Sequence, residues 1–194
     1  MCRGSLASCW RSECERIAVM RPLCGGFYTA HLGGFKQRLQ LIRHAIHCMT
    51  GTAFVDTNVL VYARDADAGD KQVRAMEWLA MLWRDQSGRI SYQVLQEYYV
   101  TVTQKLRPGL PVVDARRDVT AFFAWNPTVS NDAVVRRGWE LQDQSGLSWW
   151  DCLIAAAALE SGCAYLISED FQHRLRIDGL TIINPFQVAH ADLA

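Results

Sequence analysis

Apolar positions along this chain fall into short continuous runs that alternate with longer amphipathic stretches. Ala53-Phe54-Val55 is too short for a helix and reads as a buried strand, and a helical turn begins directly after it at 59–63. Over 70–85, Val73, Met76, Trp78, Leu79 and Leu82 recur at helical spacing. Ile90 is read as a short strand, followed by a helix over 93–106 that stops before Pro108-Gly109. Further helices are predicted over 114–124, 132–145 and 149–161, with a short strand at 128–129 between the first two. Strands at 164–167 and 181–183 complete the pattern, the second closed by Asn184-Pro185. Strands separated by helical segments predict an α/β layer sandwich with a largely parallel sheet.

Residues 1–48 do not share this order. Gly25-Gly26 and Gly33-Gly34 interrupt any element there, and only 35–47 has the character of a short helix. This leader is Arg-rich and acid-poor, as organellar targeting peptides are, and it equally resembles sequence never selected to fold. The expectation is that Met49 is the biological start and that the folded domain is 49–194, with no second domain and no repeat.

Charge changes the picture only when it is divided. The formal net charge is zero, yet residues 1–48 hold seven Lys/Arg against two Glu, and 49–194 hold thirteen basic against eighteen acidic side chains. The domain thus lacks the overall basic surface usual for a nucleic-acid binder. Any such binding needs local Arg clusters or a metal within an acidic centre. Five of the seven Cys (Cys2, Cys9, Cys14, Cys24, Cys48) precede residue 49, and no CxxC pair occurs. Cys152 reads as a small buried thiol, and a reduced cytosol is the expected location. No apolar stretch approaches a membrane span, so a soluble protein is expected.

Four acids stand in awkward settings. Asp56 ends the first apolar run, Glu97 sits among Val94, Leu95, Tyr98 and Tyr99, Asp151 follows Trp149-Trp150, and Asp170 follows Tyr165-Leu166-Ile167-Ser168. A carboxylate in apolar surroundings costs several kcal/mol unless it is neutralised, paired or bound to metal. No Lys or Arg lies near enough in sequence to serve all four, and one shared hard divalent cation is the economical partner. Asp56 and Asp170 both lie just past strand candidates, where open α/β sheets collect ligands. Each acid also has a simpler account. Asp151 is three residues past Ser148, a natural N-cap; Glu97 borders an apolar stripe; Asp170 is a loop acid with Glu169 beside it.

Three segments resemble one family. Phe54-Val55-Asp56-Thr57-Asn58-Val59-Leu60-Val61-Tyr62-Ala63 is similar to the opening motif of PIN-domain nucleases. Leu147-Ser148-Trp149-Trp150-Asp151-Cys152-Leu153-Ile154 resembles their third acidic motif. Leu166-Ile167-Ser168-Glu169-Asp170, with Gly179-Leu180-Thr181-Ile182-Ile183-Asn184-Pro185-Phe186, resembles the closing region of VapC-type toxins. The resemblance implies a PIN-like three-layer α/β/α sandwich and an acidic quartet of Asp56, Glu97, Asp151 and Asp170, supported by Asn58 and Ser168. It also implies a metal-dependent endoribonuclease, the toxin of a toxin–antitoxin pair, with RNA as substrate, a VapB-like antitoxin as partner, and a homodimer. Carboxylate oxygens suit Mg²⁺, with Mn²⁺ as substitute, whereas zinc favours His and Cys. Asp56 and Asp151 are the expected principal ligands, completed by Glu97 and Asp170.

Other readings compete. An RNA-processing nuclease of the same fold needs no antitoxin. A haloacid-dehalogenase-like phosphatase also begins with Asp after a strand, but requires a second Asp where this chain has Asn58. A binding module of little activity would keep the fold alone. Candidate contacts to a substrate backbone are Arg64, Arg107, Arg116, Arg117, Arg136, Arg137, His173, Arg174 and Arg176, and Trp149 or Trp150 could stack on bases. His44, His47 and Cys48 lack a second ligand pair at zinc-like spacing.

Overall fold

The computed structural model describes residues 51–187; the expected leader, its short helix and the Met49 start lie outside the described residues. Strands β1 (Ala53–Val55), β2 (Gly88–Arg89), β3 (Tyr165–Ile167), β4 (Arg176–Ile177) and β5 (Leu180–Ile183) form one sheet in the order β2-β1-β3-β5-β4. All neighbours are parallel except β4, which pairs antiparallel with β5. With helices on both faces, this is the predicted three-layer α/β/α sandwich. Ala53, Phe54 and Val55 are all fully buried, as a central parallel strand covered on both faces requires.

Among the described residues, six α-helices connect the strands: α1 (Thr57–Tyr62), α2 (Asp70–Arg84), α3 (Tyr92–Val100), α4 (Val112–Phe122), α5 (Asp132–Ser145) and α6 (Trp149–Glu160). Helix α3 is shorter than the predicted 93–106, because its last part widens into a π-helical turn over Thr101–Lys105. The expected strand at 128–129 is a single bridge between Thr128 and Ser91. The strand expected at Ile90 lies just before it, at Gly88–Arg89. Strand β4 was not anticipated: two residues carry no legible period.

Helix α6 is apolar nearly all round, with Cys152 to Ala158 buried, so it is a core helix rather than an amphipathic one. It packs on α5 and against β3 and β5. The helix pair closes tightly at Gly138. A Cβ there would stand 3.2 Å from both Leu153 Cδ2 and the Trp149 ring, so glycine permits the approach. A short turn joins the two helices, with Gly146 at φ 65° ending α5 and Ser148 capping α6. After α6 the chain passes through Ala164, whose N–H donates to Thr52 O at the start of β1, and enters β3. Twelve helical residues span about 18 Å, more than the length of these strands. The Ser148 end of α6 is therefore carried to the carboxyl edge of the sheet.

Candidate active site

That edge is where β1 and β3 end. Asp56 follows β1 and caps α1, its Oδ1 accepting from Thr57 N–H at 2.6 Å. Its Oδ2 accepts from Ser168 Oγ at 2.7 Å and from Asn58 Nδ2 at 3.1 Å. The Asn58 amide reaches further, donating to Ser168 Oγ at 3.2 Å and to Asp170 Oδ2 at 3.0 Å. Asp56 and Asp170 thus accept from the same nitrogen, although 114 positions separate them. Ser168 Oγ also accepts from the Asp170 backbone N–H at 3.1 Å, which fixes the turn carrying that acid. Position 58 thus carries an amide donor where the haloacid-dehalogenase-like reading requires a second carboxyl.

Glu97 joins the same edge through α1. Thr57 Oγ1 donates to Glu97 Oε2 at 2.9 Å, and Gln93 Nε2 donates to Oε1 at 3.0 Å. Gln93 and Glu97 are one helical turn apart on α3, a pairing the sequence contains. Glu97 is therefore not the freely solvated acid of the simpler account. Asp170, not its neighbour Glu169, is the acid turned to Asp56. Glu169 instead binds Lys71 Nζ on α2, and Lys71 also donates to Tyr62 Oη at 3.3 Å. The Lys71 ammonium lies 4.7 Å from the Tyr62 ring centre and 5.4 Å from that of Phe186. Burial opposes ionisation of Glu169, but the Lys71 and Tyr62 contacts outweigh it and hold the carboxyl below its usual range.

Asp151 has a different local role. Ser148 Oγ accepts from Asp151 N–H at 3.2 Å and donates to Asp151 Oδ2 at 2.7 Å, a reciprocal cap. The capping account of Asp151 is thus realised, and Asp151 makes no hydrogen bond to Asp56, Glu97 or Asp170. Its contacts are with Ser148, on the first turn of α6, whose other end leads into β3.

Asp56 is 6% exposed, and burial pushes its carboxyl up to about 6 from 3.8. The Ser168 and Thr57 hydrogen bonds oppose this shift, while the charges of Asp170 and Glu97 add to it. Beside it, Asn58 Oδ1 is buried without a hydrogen-bond partner, an arrangement that costs about 1–3 kcal/mol. A hard divalent cation would answer both defects, and every donor in the cluster is an oxygen. Among the described residues no three His, Cys, Asp or Glu side chains are gathered closely enough to hold an ion alone. Mg²⁺ does not demand that, since it commonly keeps several waters and binds through one or two carboxylates plus substrate phosphates. The residues present fit such an ion.

The family follows from the length of chain that frames this edge. Residues 53–176, from β1 through the start of β4, match the PIN domain. The chain belongs to the PIN-domain family. PIN domains are generally nucleases, hydrolases that generally use divalent metal ions. No curated protein matches the chain. No helix among the described residues of this PIN domain is long and apolar enough to cross a membrane.

The cationic candidates of the PIN domain separate sharply. Arg64 is engaged by Asp118, a carboxylate only 1% exposed that also accepts from Tyr98 Oη at 2.6 Å. This network ties the end of α1 to α3 and α4 and takes Arg64 out of the substrate-contact set. Arg107 donates to the carbonyls of Gln104 and Leu106, Arg117 pairs with Asp114, and Arg137 pairs with Glu140 and Asp178. His173 Nδ1 accepts from Asn184 N–H at 3.1 Å, a structural contact at the end of β5. Arg116, Arg136 and Arg176 are exposed. Thr57, Gln93 and Lys71 are the site neighbours that sequence reading missed. Of these only Gln93, four residues before Glu97, had a legible signal.

Proposed function

We propose that this PIN domain is a divalent-metal-dependent endoribonuclease and the toxin of a toxin–antitoxin pair. The observation that supports it most is the convergence of Asp56, Asp170 and Glu97 around Thr57, Asn58 and Ser168, with burial raising the Asp56 carboxyl above its usual range. Asp56 and Asp151 would hold Mg²⁺, or Mn²⁺ in its place, with Glu97 and Asp170 completing the shell partly through water. When bound, the ion supplies Lewis-acid activation and neutralises charge developing on a phosphodiester. Asn58 and Ser168 hold the Asp56 and Asp170 carboxylates in one orientation, and Thr57 and Gln93 do the same for Glu97. Asp151 keeps its rotamer through the Ser148 cap, with one carboxylate oxygen left for further contacts. Together these acids repel a bare phosphate, so RNA binding in this reading is coupled to the ion.

The toxin assignment rests on the likeness of the segments at 54–63, 147–154 and 166–186 to VapC-type toxins. It brings with it a VapB-like antitoxin, a homodimer and a cytoplasmic setting. The test is to incubate the full chain with tRNAs and rRNA fragments in Mg²⁺, Mn²⁺ or EDTA, beside Asp151→Asn. Cleavage only with the ion, and its loss in the variant, is the expected result. Cleavage persisting in EDTA or in Asp151→Asn overturns the mechanism. Co-expression with the product of a short neighbouring reading frame tests the toxin role, through relief of growth arrest.

A further inference from the structure

The Lys71 ammonium on α2 binds Glu169, the residue directly before Asp170, and donates to Tyr62 Oη at 3.3 Å. Tyr62 lies four positions after Asn58 on α1, one helical turn along the same face. Two separate paths, each a single neighbour long, thus link Lys71 to the acids that Asn58 joins. Glu169 leads to Asp170 along the chain, and Tyr62 leads to Asn58 along α1. The ammonium also lies 4.7 and 5.4 Å from the ring centres of Tyr62 and Phe186, and those rings meet edge to face at 5.2 Å. Arg74, three residues further along α2, fixes this floor by donating to the carbonyls of Phe186 at 3.0 Å and Pro185 at 3.4 Å. An exposed ion pair contributes little to stability, so holding a flexible lysine between an acid, a phenol and two rings asks for another reason. An ammonium has three N–H donors. Glu169 and Tyr62 engage two, and the side chain is 41% exposed, which leaves one donor for a ligand arriving from water.

We propose that Lys71 is a substrate-binding residue, contacting a backbone phosphate of RNA held at the acidic edge. This rests on the endoribonuclease reading above. The acids at the edge repel phosphate, and a divalent ion offsets them at one point. A cation fixed beside them extends the attraction to a flanking phosphate of the same strand. Its rotamer freedom is already given up before RNA arrives, so less is lost on binding. Glu169 and Tyr62 also keep the ammonium from turning onto Asp170 or Asp56, where it would take the place of the ion. A point charge reads no base, so the contact supplies affinity and position without sequence preference.

The experiment measures binding of a short single-stranded oligoribonucleotide by fluorescence anisotropy over a series of KCl concentrations, at one fixed Ca²⁺ concentration that holds cleavage back. The proteins are full-length wild type, Lys71→Met, Lys71→Arg and Glu169→Gln, each checked for cooperative melting. One phosphate contact contributes about 0.7 to the slope of log affinity against log salt on a single strand. Lys71→Met is expected to bind more weakly and to lower that slope by about 0.7, so its deficit shrinks about five-fold over a ten-fold rise in salt. Lys71→Arg and Glu169→Gln keep the cation and are expected to keep the wild-type slope. An unchanged slope in a Lys71→Met protein that still cleaves RNA overturns the contact and leaves the nuclease reading intact. Equal losses of affinity in Lys71→Met and Glu169→Gln, with neither slope altered, confine the pair to anchoring the turn and also overturn it. Absence of RNA binding and cleavage in the wild type overturns both readings.

Discussion

Replacing Asp56 by Asn should stabilise the metal-free protein, and more so as pH rises. The carboxyl of Asp56 titrates near 6 in the fold against 3.8 for an ordinary aspartate. Between those values the folded state retains a proton that the unfolded chain has released. Stability contributed by this group is therefore lost as pH rises from about 4 to about 6. Above that window the difference amounts to about 3 kcal/mol. Asn carries no titrating proton and escapes the whole effect. It still caps α1 through its carbonyl oxygen, but it loses the second carboxylate oxygen that serves Ser168 and Asn58, worth about 1 kcal/mol.

The balance at pH 8 is about 2 kcal/mol in favour of Asp56→Asn, and at pH 5 under about 1 kcal/mol. The assay is thermal unfolding of the full chain in EDTA at both pH values. A domain of this size shifts its melting temperature by about 2–4 °C per kcal/mol, so the gap between variant and wild type should widen by about 3–6 °C. Excess Mg²⁺ should then reverse the order. Wild type gains about 2.7 kcal/mol at a hundredfold excess over its dissociation constant, and the variant gains far less. A gap that is constant or narrows with pH would mean that Asp56 is not held protonated by burial. A Mg²⁺ gain equal in both proteins would remove Asp56 from the metal site.

Other substitutions test the frame around the acids. Asp118→Ala leaves Arg64 and Tyr98 without the carboxylate they share and should lower stability by about 3–5 kcal/mol, read from a urea midpoint; a loss under about 1 kcal/mol would show that the network is not structural. Lys71→Met breaks a half-exposed pair with Glu169 and should change stability by less than about 1 kcal/mol. It should nonetheless weaken Mn²⁺ binding in calorimetry, because the Ser168–Asp170 turn loses its anchor; unchanged affinity would make the pair incidental. Gly138→Ala places a methyl 3.2 Å from the Trp149 ring and Leu153 and should destabilise by about 1–3 kcal/mol, visible as a lower melting temperature.

What the sequence discloses here is limited by distance along the chain. Strand β1 and helix α6 are legible because burial on all sides leaves uninterrupted apolar residues. Strand β4 is not, since Arg176-Ile177 gains its identity only by pairing with β5. Asp56 and Asp170 are legible because each directly follows such an apolar strand. That Asp170 rather than Glu169 faces Asp56 is not, because the deciding group, Lys71, lies 98 positions from Glu169. Arg64 reads as a free surface charge until Asp118, 54 positions away, takes it up.

The four residues from Ser148 to Asp151 show where this limit falls within a single turn. The Ser-x-x-Asp spacing encodes the cap locally, and the structure realises it. Trp149 is half-buried and Trp150 exposed, and this division between two identical side chains is encoded elsewhere, by the absent side chain at Gly138 on another helix. Capping and metal binding are not exclusive for Asp151, because the cap engages one carboxylate oxygen and leaves the other. The cap instead fixes where that free oxygen stands, so Ser148→Ala should affect ion affinity through Asp151 even though Ser148 need not touch the ion. An N-cap loss alone would lower stability by about 1 kcal/mol and leave Mn²⁺ affinity, measured on the folded protein, where it was. A drop in affinity in Ser148→Ala that Asp151→Asn abolishes as a separate effect would tie the cap to the site; independent, additive effects would confine Ser148 to the helix.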